Sequence, residues 1–113
     1  MDVTEFYVSI EPHDVLKRIK TNIVEGSFSG KLIDQYERIV GDQQVVVCIF
    51  EKYYMRTSNR ASLTVTVDNL EGKTKIHAVA SGGGEGAFFR FDWGVGNTFL
   101  NSVVKTLEEF IIK

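Results

Sequence analysis

The chain has few of the residues that bind metals or form covalent cross-links. It contains one cysteine and two histidines, and no His-x-x-x-His spacing occurs. A single cysteine excludes an internal disulfide and any multi-cysteine zinc or iron–sulfur site, so we predict neither a metal nor another cofactor. The lone thiol also suits a reducing cytosol, and we therefore expect a cytoplasmic protein.

The sequence also lacks an excess of basic residues and any long apolar run. Thirteen Lys and Arg against fifteen Asp and Glu give a net charge of −2, so the totals show no electrostatic footprint for nucleic acid. No stretch approaches the roughly 18 to 20 apolar residues of a membrane span. The first residues, 1–5, are acidic and precede no apolar run, so we expect no signal peptide and no membrane association.

The rest of the composition is typical of one globular domain. Hydrophobic residues make up 43% and charged residues 25% of the 113 residues, which is close to the average for globular proteins. A chain of this length buries roughly two-thirds of its unfolded surface, which is enough for one core. We predict a single domain over residues 1–113.

Hydrophobic periodicity predicts the order of the secondary-structure elements. Alternation over 5–10 indicates a first strand, and apolar residues at helical spacing after Pro12 indicate a helix that ends at Gly26. Residues that favour β-structure predict later strands at 32–40, 45–55, 63–67, 73–80 and 87–91. We expect 32–40 to be partly exposed or to lie at an edge of the sheet, because charged residues interrupt it, and we place the apolar 45–55 in the centre.

The last predicted element is a long helix for which Asn97 or Thr98 would be the cap. Its apolar stripe comprises Phe99, Leu100, Val103, Leu107, Phe110 and Ile111. We therefore predict an α+β fold, in which an antiparallel sheet of roughly four to six strands carries an N-terminal helix and a long C-terminal helix on one face, in the order β-α-β(4–5)-α. This order resembles the TATA-binding-protein-like and helix-grip folds, and an α+β sandwich of another topology stays open.

Five of the ten glycines and the only tryptophan lie within residues 81–94. Backbone N–H groups of a glycine-rich loop converge on an anion in many binding sites. The candidate ligand-binding residues of this loop are Gly82, Gly83, Gly84, Glu85 and Gly86. The stretch lacks the lysine of a P-loop and the following helix of a dinucleotide fingerprint. The alternative interpretation is a bulge or wide turn that lets the sheet bend.

Polar and aromatic residues near this loop complete the candidate ligand site. Arg90 and Asp92 fall on one face of a short strand and would orient a polar ligand, with Trp93 and Tyr54 at the mouth of the same pocket. In the alternative, Arg90 and Asp92 face solvent, Asp92 fixes the next turn, and Trp93 fills the space below the last helix.

No catalytic constellation stands out in the sequence. Cys48 and His77 are a nucleophile and a base, but Cys48 lies in the most apolar run, where a buried thiol is inert. The aromatic and basic residues at 51–56 suit stacking on single-stranded nucleic acid, yet the acidic total favours protein–protein contact instead. We predict no catalytic residue, and the sequence favours a protein that is not an enzyme.

Three segments resemble those of a known protein family. They are 51–56 (Glu-Lys-Tyr-Tyr-Met-Arg), 59–65 (Asn-Arg-Ala-Ser-Leu-Thr-Val) and 81–94, which runs from the glycine-rich loop through the tryptophan. The family is similar over nearly the whole chain, occurs mostly in low-GC Gram-positive bacteria and is known as a domain of unknown function. The resemblance implies a one-domain cytosolic protein and assigns no activity.

Two functional hypotheses stay open. In the first, the sheet and the last helix enclose a small apolar or amphipathic ligand, with Trp93, Tyr54 and the glycine-rich loop at the mouth. In the second, helix and sheet pack tightly, and exposed aromatic residues at strand ends, Tyr53 and Tyr54, mediate contacts in a homodimer or with another partner.

Overall fold

The computed structural model describes residues 2–26, 29–54, 58–82 and 99–112 of the chain. The elements in these residues are β1 (Asp2–Val8), α1 (Pro12–Lys20) with a π-helical continuation (Thr21–Glu25), β2 (Lys31–Val40), β3 (Gln43–Tyr54), β4 (Asn59–Asp68), β5 (Thr74–Gly82), α2 (99–107) and a closing 3₁₀ turn (Glu108–Phe110). An α+β fold with a helix near the C-terminus is thereby confirmed. The first helix follows β1, so the chain itself begins with a strand.

The strands that the structure describes form one antiparallel sheet in the order β1-β5-β4-β3-β2. The α1 connection carries the chain from one edge of the sheet to the other, and β2 to β5 then return as a meander to the side of β1. Among the named strands that the structure describes, the pairing of β1 with β5 therefore joins the segments that are most distant in sequence. It places β1 at one edge and β2 at the opposite edge.

One face of the sheet forms the core with the two helices. Alternate residues of the three middle strands are at most 2% exposed: Val46, Cys48, Phe50, Ala61, Leu63, Val65, Val67, Ile76, Ala78 and Ala80. The helices contribute Val15, Leu16, Ile19, Ile23, Phe99, Leu100, Val103 and Leu107, which belong to the same cluster. Each large apolar side chain buried in this way stabilises the fold by about 1.5–3 kcal/mol. We call this side the helix-covered face.

Tight turns hold the strands of the meander in register. The hairpin between β2 and β3 has two turn residues, and its Gly41 has a φ of +59°, a conformation that costs glycine little. The next turn is tied to this hairpin by Asn69, whose side chain accepts from the Gln44 backbone N–H at 2.8 Å and donates to the Asp42 carbonyl at 3.0 Å.

Several predicted boundaries were wrong. The first strand is β1, at residues 2–8 and not 5–10, because its pairing with β5 extends it toward the N-terminus. The predicted helix over 12–25 is α-helical only to Lys20 and continues as a π-helical segment. The C-terminal helix ends at residue 107, since the following residues turn back to contact β1 instead of extending the helix.

Two predictions concerned the position of strands within the sheet. The edge position of β2 is confirmed, and all but one of its residues are exposed. The central position of β3 was wrong, because β4 is the middle strand and β3 is covered on one face only. The predicted strand at 87–91 and the helix caps Asn97 and Thr98 lie outside the described residues.

Candidate functional site

The predicted ligand-binding residues fall mostly outside the part of the chain that the structure describes. Outside that part lie Gly83, Gly84, Glu85, Gly86, Arg90, Asp92 and Trp93. Gly82 is the last residue of β5 and pairs with Ala61, whereas Tyr54 is the last residue of β3 and pairs with Asn59. The two described candidates therefore sit at the same end of the sheet, on either side of the first residues of β4. The choice between a binding loop and a structural bulge stays a prediction.

The space between the sheet and the C-terminal helix is filled by side chains wherever the structure describes it. Phe99, Val103 and Leu107 are at most 1% exposed, as are Phe50 and Leu63 on the sheet below. A cavity large enough for water would leave accessible surface on the side chains that line it. These side chains therefore pack against one another and leave no room for a ligand beside them.

Cys48 and His77 do not form a catalytic pair. The Cys48 thiol lies on the helix-covered face with 1% exposure, and burial raises its pKa to about 11. Its strand is separated from that of His77 by β4, and His77 projects from the opposite face of the sheet. Since the thiolate is the reactive form, the protonated and buried thiol is inert, as the apolar sequence around it had predicted.

The face of the sheet opposite the helices, which we call the open face, carries a polar cluster at its β1 and β5 end. Nδ1 of His77 lies 3.0 Å from a carboxylate oxygen of Glu5, and the Lys75 ammonium lies 3.6 Å from the same oxygen. The Tyr7 hydroxyl donates to Glu71 at 2.9 Å, and Lys75 lies 3.6 Å from that carboxylate too. Each acidic group in the cluster thus has a cationic neighbour.

This cluster is a surface network without a reactive group. The hydrogen bond from His77 lowers the pKa of Glu5, while the nearby Glu5 charge raises the pKa of Lys75. The bond that Tyr7 donates to Glu71 raises the pKa of that phenol. All three shifts favour the protonation states already present near neutral pH. The arrangement therefore fixes charges on the surface and activates neither a nucleophile nor a base.

A polar groove lies between the two helices, on the side away from the sheet. Its volume is about 570 Å³, and its lining residues are Asp14, Lys17, Arg18, Thr21, Asn22 and Thr106. The Arg18 guanidinium lies over the Phe110 ring, 4.5 Å from its centroid. The Arg18 cation, which lines the groove, is thus already in contact with another side chain of the protein. Among the described residues no group of three His, Cys, Asp or Glu side chains is arranged to hold a metal ion.

The C-terminal end of β1 is covered by the chain's own C-terminal segment. The Ser9 N–H donates to the Phe110 carbonyl at 2.9 Å, and the Ile112 N–H donates to the Tyr7 carbonyl at 2.9 Å. An isolated antiparallel bridge between Val8 and Ile111 lies between these two bonds. The segment thus satisfies the outward-pointing backbone groups at this end of β1.

The edge at β2 has no backbone partner among the residues that the structure describes. No backbone hydrogen bond joins its outer side to any other segment that the structure describes. Nine large apolar or aromatic side chains are exposed in the described part of the chain, and four of them lie in β2: Ile33 (49%), Tyr36 (53%), Ile39 (63%) and Val40 (67%). Such a concentration on one edge strand is typical of protein–protein contact sites. Sequence reasoning identified the edge and did not single out its exposed apolar side chains.

Two further findings concern membrane association and family membership. No helix in the described ranges is long and apolar enough to cross a membrane. Residues 1–111 match the sequence profile of the family of unknown function DUF6054. The chain belongs to this family. None of the curated proteins matches the chain. Membership in DUF6054 thus agrees with the predicted kind of family and assigns no activity to the open edge or to any other surface.

Proposed function

We propose that this DUF6054 protein is an interaction module that binds another protein surface through the β2 edge and the open face beside it. The observation that carries the proposal is the concentration of exposed apolar residues on β2. An extended strand with unpaired N–H and C=O groups is a template for a further strand, because main-chain hydrogen bonds supply affinity and alternate side chains supply specificity.

The filled core supports this proposal over the enclosure of a ligand. Phe99, Val103 and Leu107 pack onto the sheet without accessible surface of any size, so a ligand between them would have to displace side chains. Saturable quenching of Trp93 fluorescence by a lipid or an aromatic metabolite would contradict the proposal and favour enclosure.

The order of elements supports a finer assignment of the fold. A strand, a helix, four meandering strands and a C-terminal helix follow one another along the described chain, which is the order expected for a TATA-binding-protein-like or helix-grip architecture. We extend the proposal to that architecture and to a cytoplasmic location, where a free thiol such as Cys48 stays reduced. Fold likeness carries no function by itself, so the interaction proposal rests on the β2 edge alone.

A photo-cross-linking experiment in cells that produce the protein tests the proposal. A photoreactive phenylalanine analogue replaces Tyr36 on β2 or, as a control, Leu70 in the turn before β5; the two side chains are 53% and 52% exposed. We expect a discrete cross-linked adduct from position 36 and none from position 70. Adducts of equal yield at both positions, or none at position 36, would show that β2 is not an interaction site.

A further inference from the structure

We propose that the β2 edge pairs with β2 of a second copy of this chain, in the one antiparallel register that is centred on Tyr36. This inference rests on the proposed function, because it names the partner that the edge binds. The five strands of each copy would then form one continuous sheet around a two-fold axis, which is the usual symmetry of a homodimer.

Geometry leaves few registers for such a pair. In an antiparallel pair, two residues that lie opposite each other either both point their N–H and C=O groups at the other strand or both point them away from it. Their side chains lie on the same face of the sheet. Both properties alternate with a period of two along a strand. Residues that lie opposite each other in two identical strands must therefore differ by an even number of positions. The two-fold axis then passes through a residue of β2 and not between two residues.

The register centred on Tyr36 brings opposite charges together twice. Asp34 of each copy lies directly opposite Arg38 of the other, and the two Tyr36 rings lie next to each other on the axis. Asp34, Tyr36 and Arg38 share the open face of the sheet, since they pair with Ile49, Val47 and Val45 of β3. Opposite charges and paired aromatic rings at facing positions both stabilise antiparallel strands.

Neighbouring registers lack this complementarity. With the axis at Gln35, Asp34 faces Tyr36 and meets no opposite charge. With the axis at Glu37, two Glu37 carboxylates face each other, and like charges at facing positions are destabilising. Of these three registers, the one centred on Tyr36 alone sets opposite charges against each other.

The charged groups that this register would join form no salt bridge with another residue that the structure describes. Asp34 forms no ion pair with another described residue, and the Arg38 guanidinium donates to the Tyr36 hydroxyl at 3.2 Å without meeting a carboxylate there. Pairing would therefore add two ion pairs without breaking a salt bridge among the described residues.

Charges and bulges on edge strands also serve to prevent association, and β2 has both. Its bulge lies between Leu32 and Asp34, at the end of the strand, so residues 34–40 remain regular and available. Charges that only prevent pairing work best when they repel in every register. Here they repel when the axis lies at Glu37 and attract when it lies at Tyr36, which specifies one dimer and disfavours others.

Charge reversal at the two positions tests the register. In Asp34→Arg two arginines face each other at both pairs, and in Arg38→Asp two aspartates do so. We expect each single variant to bind itself at least about tenfold more weakly than the natural chain. The double variant Asp34→Arg/Arg38→Asp restores both attractive pairs and should dimerise again. An equimolar mixture of the two single variants should form a heterodimer.

Sedimentation equilibrium measures the mass of each variant in solution, which is compared with the 12.7 kDa of one chain. Lys105→Asp on the exposed side of α2 is the matched control and should leave the dimer unchanged, and circular dichroism verifies that each variant is folded. A natural chain that stays monomeric at millimolar concentration would overturn the inference. So would a dimer that resists both single reversals, or one that Tyr53→Ala splits while Asp34→Arg does not.

The outcomes separate this inference from the proposed function. A monomeric chain that still forms a cross-link from position 36 to a different protein overturns self-pairing and leaves the interaction proposal standing. A monomeric chain without any such cross-link overturns both.

Discussion

The two edges of the sheet differ in what satisfies their backbone groups. At the C-terminal end of β1 the chain's own residues 110–112 form two backbone hydrogen bonds that an edge strand would otherwise leave to water. At β2 no described segment does so, although the strand is longer and more apolar on its surface. Because edge strands invite association, the fold covers the end of one edge strand, whereas no described segment covers the other.

The largest effect is expected from the anchor of the segment that closes β1. Leu107 is fully buried at the end of α2, and Leu107→Ala should lower the free energy of unfolding by about 2–5 kcal/mol, because it leaves a cavity in the core. Urea denaturation measures the change. The exposed neighbour Lys105→Ala should stay within about 0.5 kcal/mol of the natural chain. Equal losses in the two variants would mean that Leu107 anchors nothing.

The residue that precedes β2, Gly30, packs closely against the backbone of the first helical segment. A Cβ added at Gly30, just before β2, would lie 2.1 Å from the Ile23 carbonyl oxygen. Gly30→Ala should therefore cost about 1–3 kcal/mol of stability, since the backbone must shift to relieve the overlap. Thermal or urea unfolding measures it.

Gly41→Ala at the other end of β2 is the matched control for that substitution. Its added Cβ would meet nothing within 4 Å, but φ is +59°, so it should cost only about 1 kcal/mol from backbone strain. If Gly41→Ala proved the more harmful of the two, the close contact at Gly30 would not be what positions β2.

A smaller effect is expected where α1 holds the closing segment. The Arg18 guanidinium lies over the Phe110 ring, and a cation–π contact at an exposed site contributes about 0.5–1 kcal/mol. Arg18→Ala should lose that amount in urea denaturation and speed hydrogen exchange at the Ser9 amide, which donates to Phe110. Arg18→Lys keeps the cation and should lose less. An unchanged rate of hydrogen exchange at the Ser9 amide would mean that the contact between Arg18 and Phe110 does not help to hold the C-terminal segment against β1.

The smallest effect concerns acid. The folded-state pKa of Glu5 on β1 is lowered, first by its hydrogen bond with His77 and further by the charge of Lys75. A carboxyl group whose pKa is lowered in the folded chain contributes stability above the pKa of 4.5 of an unperturbed glutamate, and this contribution is lost as pH falls through the lower folded-state pKa. The melting temperature of the natural chain should therefore drop slightly more steeply below that pH than that of Glu5→Gln. Glu25→Gln, at the exposed end of the first helical segment, should follow the natural chain. Parallel curves for all three proteins would mean that the His77 contact adds no stability.

Local sequence patterns predicted much of this fold. The alternation in Leu63, Val65 and Val67 and the apolar spacing of Phe99, Val103 and Leu107 match the buried positions of β4 and α2. Charges within β2 predicted an edge strand, and its edge position is confirmed. These predictions succeeded because a strand or helix buries one face with a fixed period, which nearby residues alone reveal.

The candidate site was harder to predict. Glycine spacing drew attention to residues 82–86 and to Trp93, most of which lie outside the described residues. The exposed apolar residues of β2 were missed, since Ile33, Tyr36 and Ile39 read as an ordinary amphipathic strand until both of its faces and its free edge are known. No local signal distinguishes an edge that the chain covers from one that it leaves open.

The amino-acid sequence by itself determined the identity of the strands and helices, the inertness of Cys48 and the charges along β2. Only the tertiary structure decided that β1 pairs with β5 at one edge of the sheet, that residues 110–112 cover the end of that strand, and that no described segment pairs with the outer side of β2. Periodicity and side-chain chemistry act between neighbours in the chain. Strand order and edge closure depend on contacts between segments far apart in sequence, and those contacts form only when the whole core packs.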